Sequence, residues 1–325
     1  MSDIIFALNA TLPIVMIVVI GYILKKIGMI DSHVTKTANK LVFRVFLPAM
    51  LFLNVYKIES LADVDFSFVL YAVIATLAIF LLAFASVFAV TRDKAKRGAL
   101  LQASFRANYA LVGIPLATAL FGEEGAIASA VLSAFIVPLF NVLAVTALSI
   151  FSPSHKPSVK KVLLGIAKNP LIQSILAGFM ALCVRALFVK WGVSVRLSDI
   201  QPIYKTLTSL SAVATPLALI VLGAQFELSA IPTLKKEIIF GVCIRNLVAP
   251  VFGISIAYFI GGFSGAHFAT FVAVFCTPVA VSSVPMAQEM ECDVSLAGQL
   301  VVWTTLASAL SIFFASYVLR HLGVF

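Results

Sequence analysis

Residues 108–125 read NYALVGIPLATALFGEEG. They belong to a long run with almost no charge, and about 20 such residues are enough to cross a bilayer as one helix. Gly113 and Pro115 nevertheless fall near the middle of the run. A proline lacks the backbone N–H and crowds the carbonyl four residues earlier, so Pro115 is expected to free the carbonyl of Leu111. Gly113 lets another backbone approach. Asn108, two turns earlier, brings an amide that both donates and accepts. At membrane depth, non-helical backbone survives only where it is buried in protein or lines a wet cavity. The stretch therefore predicts a broken helix at a site.

Composition sets the class around it. The chain has 325 residues, 62% hydrophobic and only 11% charged, with a mean hydropathy of +1.10. A soluble domain carries about 25% charged residues. The apolar runs are continuous rather than alternating, which excludes a β-barrel. The four cysteines and four histidines are scattered, without ligand spacing, so neither a metal nor a disulfide framework is expected, and no cofactor. The first apolar run leads into Lys25 and Lys26, as a true span does, and no cleavable leader is read.

Ten spans are expected, at roughly 4–24, 37–56, 67–91, 98–121, 125–150, 170–189, 203–226, 237–261, 265–288 and 294–319. The connections after the odd-numbered spans hold fourteen Lys and Arg residues against five on the other side. That bias makes the first set cytoplasmic and both termini outward. It also explains the net charge of +9 without nucleic acid. The basic linker 152–169 (SPSHKPSVKKVLLGIAKN) divides the chain into residues 1–150, the linker at 151–169, and residues 170–325. Five spans per half place the second half inverted, a common transporter plan. Prolines support the repeat: Pro13 and Pro170 each precede a glycine eight residues on, Pro48 pairs with Pro216, and Pro115 with Pro285. The expected fold is an all-α polytopic membrane protein, ten transmembrane helices in two inverted five-helix repeats with broken, crossing helices 4 and 9.

The ninth span repeats the chemistry of the fourth in FVAVFCTPVAVSSVPMAQEM (271–290). Pro278 and Pro285 are expected to free the carbonyls of Val274 and Val281. Thr277, Ser282 and Ser283 add hydroxyls at that depth. Breaks in corresponding helices of two halves point to a transport site. Half-helix N-termini there offer partial positive charge to an anion, with no buried Lys or Arg required. Thr304, Thr305 and Ser308 fit back-bonding within their own helix, with lining of the site as the alternative.

These motifs resemble a family. NYALVGIPLATALFG followed by Glu123 and Glu124, TPVAVSSVPMAQEMECD (277–293) with LVVWTTLAS (300–308), and VFRVFLPAMLFLNV (42–55) resemble the fourth, ninth, tenth and second helices of the auxin efflux carriers, within the bile acid/auxin transporter superfamily. The match covers nearly the whole chain. The short central loop resembles bacterial members described as permeases for malonate, malate and similar acids. The resemblance implies a scaffold of helices 1, 2, 6 and 7, a transport domain of helices 3–5 and 8–10, and an elevator movement with substrate where helices 4 and 9 cross. It carries Asn108, Gly113, Ile114, Pro115 and the Pro278 region over as substrate positions. The plant members' second amide near the helix 9 crossing has no match here. Thr277, Ser282 and Ser283 stand in its place, which argues against auxin itself.

The ionisable residues constrain coupling. All fourteen Asp and Glu lie at span ends or in loops, so a proton relay through an intramembrane carboxylate is not expected. Sodium held by freed carbonyls and hydroxyls, as in a bile-acid-type symporter, and electrogenic anion uniport both remain open. Arg44, Arg106 and Arg185 are read as snorkelling to a span end. Arg245 lies ten residues past Lys235 and deeper, facing a buried acid or carbonyl, or drawing anions to the pathway. No H-E-x-x-H or G-x-S-x-G motif supports an enzyme. The expected protein is a secondary transporter of small organic anions, mono- or dicarboxylates, in the bacterial inner membrane. Its partners are the anion and the bilayer, with sodium and a second copy of the chain left open.

Overall fold

The computed structural model describes residues 2–56, 66–153, 167–192, 196–263 and 265–325, with side chains from residue 12 onward except Ile14. Most of the linker at 152–169 lies outside these residues. The described chain is all-helical, with a single isolated antiparallel bridge between Ala107 and Val279. Among the described residues seven helical stretches are long and apolar enough to cross a membrane: Ser32–Tyr56, Phe66–Val90, Tyr109–Phe151, Pro170–Lys190, Gln201–Gln225, Leu228–Ile260 and Val294–His321. The stretch Tyr109–Phe151 bends sharply at Phe121 and Gly122, where Gly122 has φ 59° and ψ −141°. A side chain rarely adopts that backbone, so glycine makes the turn, between the expected fourth and fifth spans.

The helices are, in chain order, α1 (Ser2–Lys26), α2 (Ser32–Leu41), α3 (Leu47–Tyr56), α4 (Phe66–Val90), α5 (Lys94–Phe105), α6 (Ile114–Phe151), α7 (Pro170–Lys190), α8 (Gln201–Gln225), α9 (Ile231–Cys243), α10 (Ala249–Ile260), α11 (Gly265–Phe275), α12 (Ser283–Glu289) and α13 (Val294–His321). Acids at span ends begin several of them. The side chains of Asp31, Asp93 and Asp293 accept from the N–H groups of Val34 at 2.7 Å, Ala95 at 2.8 Å and Leu296 at 2.8 Å. Each satisfies a donor that the first helical turn leaves unpaired.

Three widened π turns, Val42–Phe46, Tyr109–Gly113 and Ile244–Val248, join α2 to α3, the crossing to α6, and α9 to α10. Each comes just before a proline: Pro48, Pro115 and Pro250. The N–H preceding each proline reaches back five residues, Leu47 to Val42, Ile114 to Tyr109 and Ala249 to Ile244. An extra residue in the turn makes room for a ring that would otherwise strike the preceding turn. This corrects the expectation at Gly113 and Pro115, where the chain stays helical and merely widens. Pro285 likewise makes no break. It is the third residue of α12, where a helix N–H has no partner to lose.

The helices pack in two groups, with α1 of the first also lying against α13 of the second. In the first, α1 lies along α8, and α3 lies along α7 and α8. A Cβ on Gly21 would overlap the carbonyl of Ile220, and one on Gly223 that of Val18, so α1 and α8 touch backbone to backbone. In the second, α6 packs on α5 and α11, α4 on α5, and α13 on α9 and α12. Tyr71, Phe263 and Phe268 meet Phe271 edge to face inside it, and Phe68 lies tilted against the same ring.

Candidate functional site

Two helices are interrupted, and the interruptions meet. α5 ends at Phe105, Arg106 is extended at φ −83° and ψ 105°, and helix resumes at Tyr109. α11 ends at Phe275, and α12 begins at Ser283. Between them the Asn108 N–H donates to the Pro278 carbonyl at 2.8 Å, and the Ala280 N–H to the Arg106 carbonyl at 3.2 Å. The Val279 N–H donates to Thr304 Oγ1 on α13 at 3.1 Å. Each break thus supplies the partners that the other lacks, as buried backbone requires.

Three more of the freed carbonyls go to one side chain. Arg245 donates from Nε to Thr277 O at 2.8 Å, from Nη1 to Phe105 O at 3.1 Å and from Nη2 to Val274 O at 2.6 Å. The freeing of Val274 O by Pro278 follows the sequence expectation. The taker of that carbonyl is a cation 1% exposed. Arg245 meets carbonyls, one of the partners expected for it.

Arg106 is the second buried cation, 3% exposed. Its reading as a snorkelling residue is overturned. Nη2 donates to Asn141 Oδ1 at 2.8 Å, and Nη1 to Ser283 Oγ at 3.4 Å and Met286 Sδ at 2.9 Å. Asn141 is itself held by its Nδ2 on Val137 O at 2.8 Å. Among the described residues no acid pairs with Arg106, whereas the more exposed Arg44 and Lys96 meet Glu289 and Glu237. A buried cation with only neutral acceptors has lost water without an opposite charge in exchange, which costs several kcal/mol.

Arg106 borders a cavity between the crossing and the first helix group, lined also by Asn108, Asn141, Ser282, Asn54 of α3 and Thr215 of α8. Among the described residues no acid lines it. Asn108 is 6% exposed, and its buried Nδ2 has no partner. A guanidinium and an unused amide donor thus border the cavity, groups that suit a carboxylate. A larger groove between α10 and α13, walled by Leu247, Val251, Leu310 and Phe314, carries no charged side chain.

The other residues singled out in the sequence distribute around this centre. Ser282 lines the cavity, and Ser283 bonds Arg106 beside it. Pro278 contributes its carbonyl to the crossing, while Thr277 Oγ1 back-bonds to Ala273 O at 2.7 Å. Gly113, Ile114 and Pro115 lie in the π turn and first residues of helix beyond Leu111, outside the cavity lining. Thr304 supports Val279, and Thr305 bonds Val301 O at 2.7 Å away from the cavity. Arg106 and Asn141 were the residues that sequence reasoning missed. A signal for Arg106 was present: it lies nine residues past Arg97, about the spacing that marked Arg245 as deep.

Interrupted helices that meet at a polar cavity inside an all-helical membrane chain are the layout of a transporter. Residues 6–159 and 154–316 match the profile of the family described as "Membrane transport protein", and the chain belongs to that family, the auxin efflux carriers. It is 24% identical over 308 residues to an uncharacterized transporter of Methanothermobacter thermautotrophicus, covering 94% of this chain and 95% of that one. It is 25% identical over 326 residues to an uncharacterized transporter of Methanocaldococcus jannaschii, MJ1031, covering 97% of this chain and 99% of that one.

Proposed function

We propose that the protein is a secondary transporter of small organic anions, mono- or dicarboxylates, with the substrate carboxylate held at the crossing by Arg106 and Asn108. The observation that carries the reading is the buried Arg106 guanidinium without an acid partner, beside the unpartnered Asn108 amide, in one cavity. An incoming carboxylate supplies the missing charge and accepts from both groups. The cavity's walls are crossing residues on one side and α3 and α8 on the other. That supports a ten-helix inverted repeat in which α1, α2, α3, α7 and α8 form a scaffold. The remaining helices form a transport domain that slides against it as an elevator. The lysine-rich connections support a topology with both termini outside the cell membrane.

Uptake of a panel of mono- and dicarboxylates into proteoliposomes at set potential is the test. Flux of at least one carboxylate above empty vesicles is expected, lost in Arg106→Gln and Asn108→Ala while both variants remain folded. No carboxylate flux under any condition, or wild-type flux in both variants, overturns the reading.

A further inference from the structure

We propose that Arg245 is a tethered substitute for a coupling cation: it holds the crossing in order permanently, so the carrier works without sodium. The proposal rests on the crossing being the transport site. Broken membrane helices expose carbonyls that converge at their ends, and in cation-coupled carriers such carbonyls bind the ion that assembles the site. Here three of them, Phe105 O, Val274 O and Thr277 O, come from the ends of both interrupted helices, and all three are filled by one guanidinium. A hard cation such as sodium is held by oxygen ligands of this kind. It would have to compete for these oxygens with a positive group that cannot leave.

The tether is built into the fold. Arg245 stands in the π turn ahead of Pro250, and its side chain is sealed at 1% exposure. Its fork is fixed and presents donors in one plane. It does not line the substrate cavity, so it acts on the substrate only by fixing the peptide segments that carry Arg106, Asn108 and Ser282. It is a positioning residue. A bound ion makes order at the crossing depend on ion concentration, whereas a covalent cation makes it constant. The two arginines thereby divide the site: Arg245 neutralises the carbonyl dipoles, and Arg106 is left for the substrate.

Flux and thermal unfolding of the full chain, each in sodium chloride or choline chloride, test this in wild type and in Arg245→Lys, Arg245→Gln and Arg245→Ala. Wild type is expected to show the same flux and the same Tm in both salts. Arg245→Lys keeps a charge and should retain more flux than the neutral Arg245→Gln by roughly tenfold. Millimolar methylguanidinium should raise the Tm of Arg245→Ala and restore part of its flux, with no such effect on wild type. If Arg245→Ala does not fold, the Lys-against-Gln comparison decides. Sodium-dependent wild-type flux or Tm, equal flux in the Lys and Gln variants, or a folded Arg245→Ala indifferent to methylguanidinium overturns the proposal. Absence of any carboxylate flux in wild type would defeat the transport reading instead, and the Tm responses would still test the tethered cation.

Discussion

Arg106 and Arg245 are sealed at the same crossing and use their donors differently. Arg245 binds three backbone carbonyls at 2.6 to 3.1 Å, freed at the ends of the interrupted helices. Arg106 binds a side-chain amide, a serine hydroxyl at 3.4 Å and a thioether, all neutral and two of them poor. The first arrangement is complete as it stands. The second is completed by an anion. Burial of a charge is thus a structural device in one case and a vacancy of charge in the other, and mutation separates them.

The largest effect is expected at Arg245. Arg245→Met leaves three buried carbonyls unpaired at about 1–3 kcal/mol each, so stability should fall by roughly 3 kcal/mol or more, read as a drop in unfolding midpoint in detergent. Arg106→Met should do the opposite to stability. Removing an uncompensated buried cation relieves its desolvation, so the midpoint should hold or rise. Carboxylate affinity should fall by about 2–5 kcal/mol, roughly 30-fold or more, in a binding titration. Equal loss of stability in the two variants would erase the distinction between them. Asn108→Ala comes next. Its Nδ2 has no partner to lose, so stability should change by less than about 1 kcal/mol, while binding weakens by the net worth of a hydrogen bond to a charged group, about 1.5–3 kcal/mol.

The contrast also explains what the sequence could and could not reveal. Long apolar stretches, the family motifs and the break at Pro278 were legible, because hydropathy and a missing N–H are local properties. The break in the fourth span was misplaced. Pro115 draws the eye, but its ring is absorbed by a π turn, and the true interruption at Arg106, Ala107 and Asn108 contains neither proline nor glycine. Nothing local compels it. It exists because the segment at Pro278, Val279 and Ala280 offers hydrogen bonds that replace the lost helical ones. Arg106 was mislaid for the same reason: in an uninterrupted helix it looked able to reach the membrane surface, and the break turns it inward. The Asn141 that holds it comes from 35 positions away, beyond any pattern of helical spacing.

Thr304 tests the crossing at its weakest tie. Its hydroxyl donates to Leu300 O at 2.6 Å and accepts from the Val279 N–H at 3.1 Å, at full burial. Thr304→Val keeps the shape and removes both bonds. The Leu300 carbonyl sits inside α13 and keeps its helical partner, so the loss falls on the Val279 N–H. One buried donor left unpaired costs about 1–3 kcal/mol. The expected fall in midpoint is therefore smaller than for Arg245→Met, with substrate affinity altered only as far as Val279 shifts against Ala107. Hydrogen exchange at the Val279 and Ala280 amides would read this directly. Faster exchange confined to that segment fits a tie between α13 and the crossing, whereas unchanged exchange would mean that the bridge to Ala107 and the three carbonyl bonds of Arg245 hold the crossing on their own.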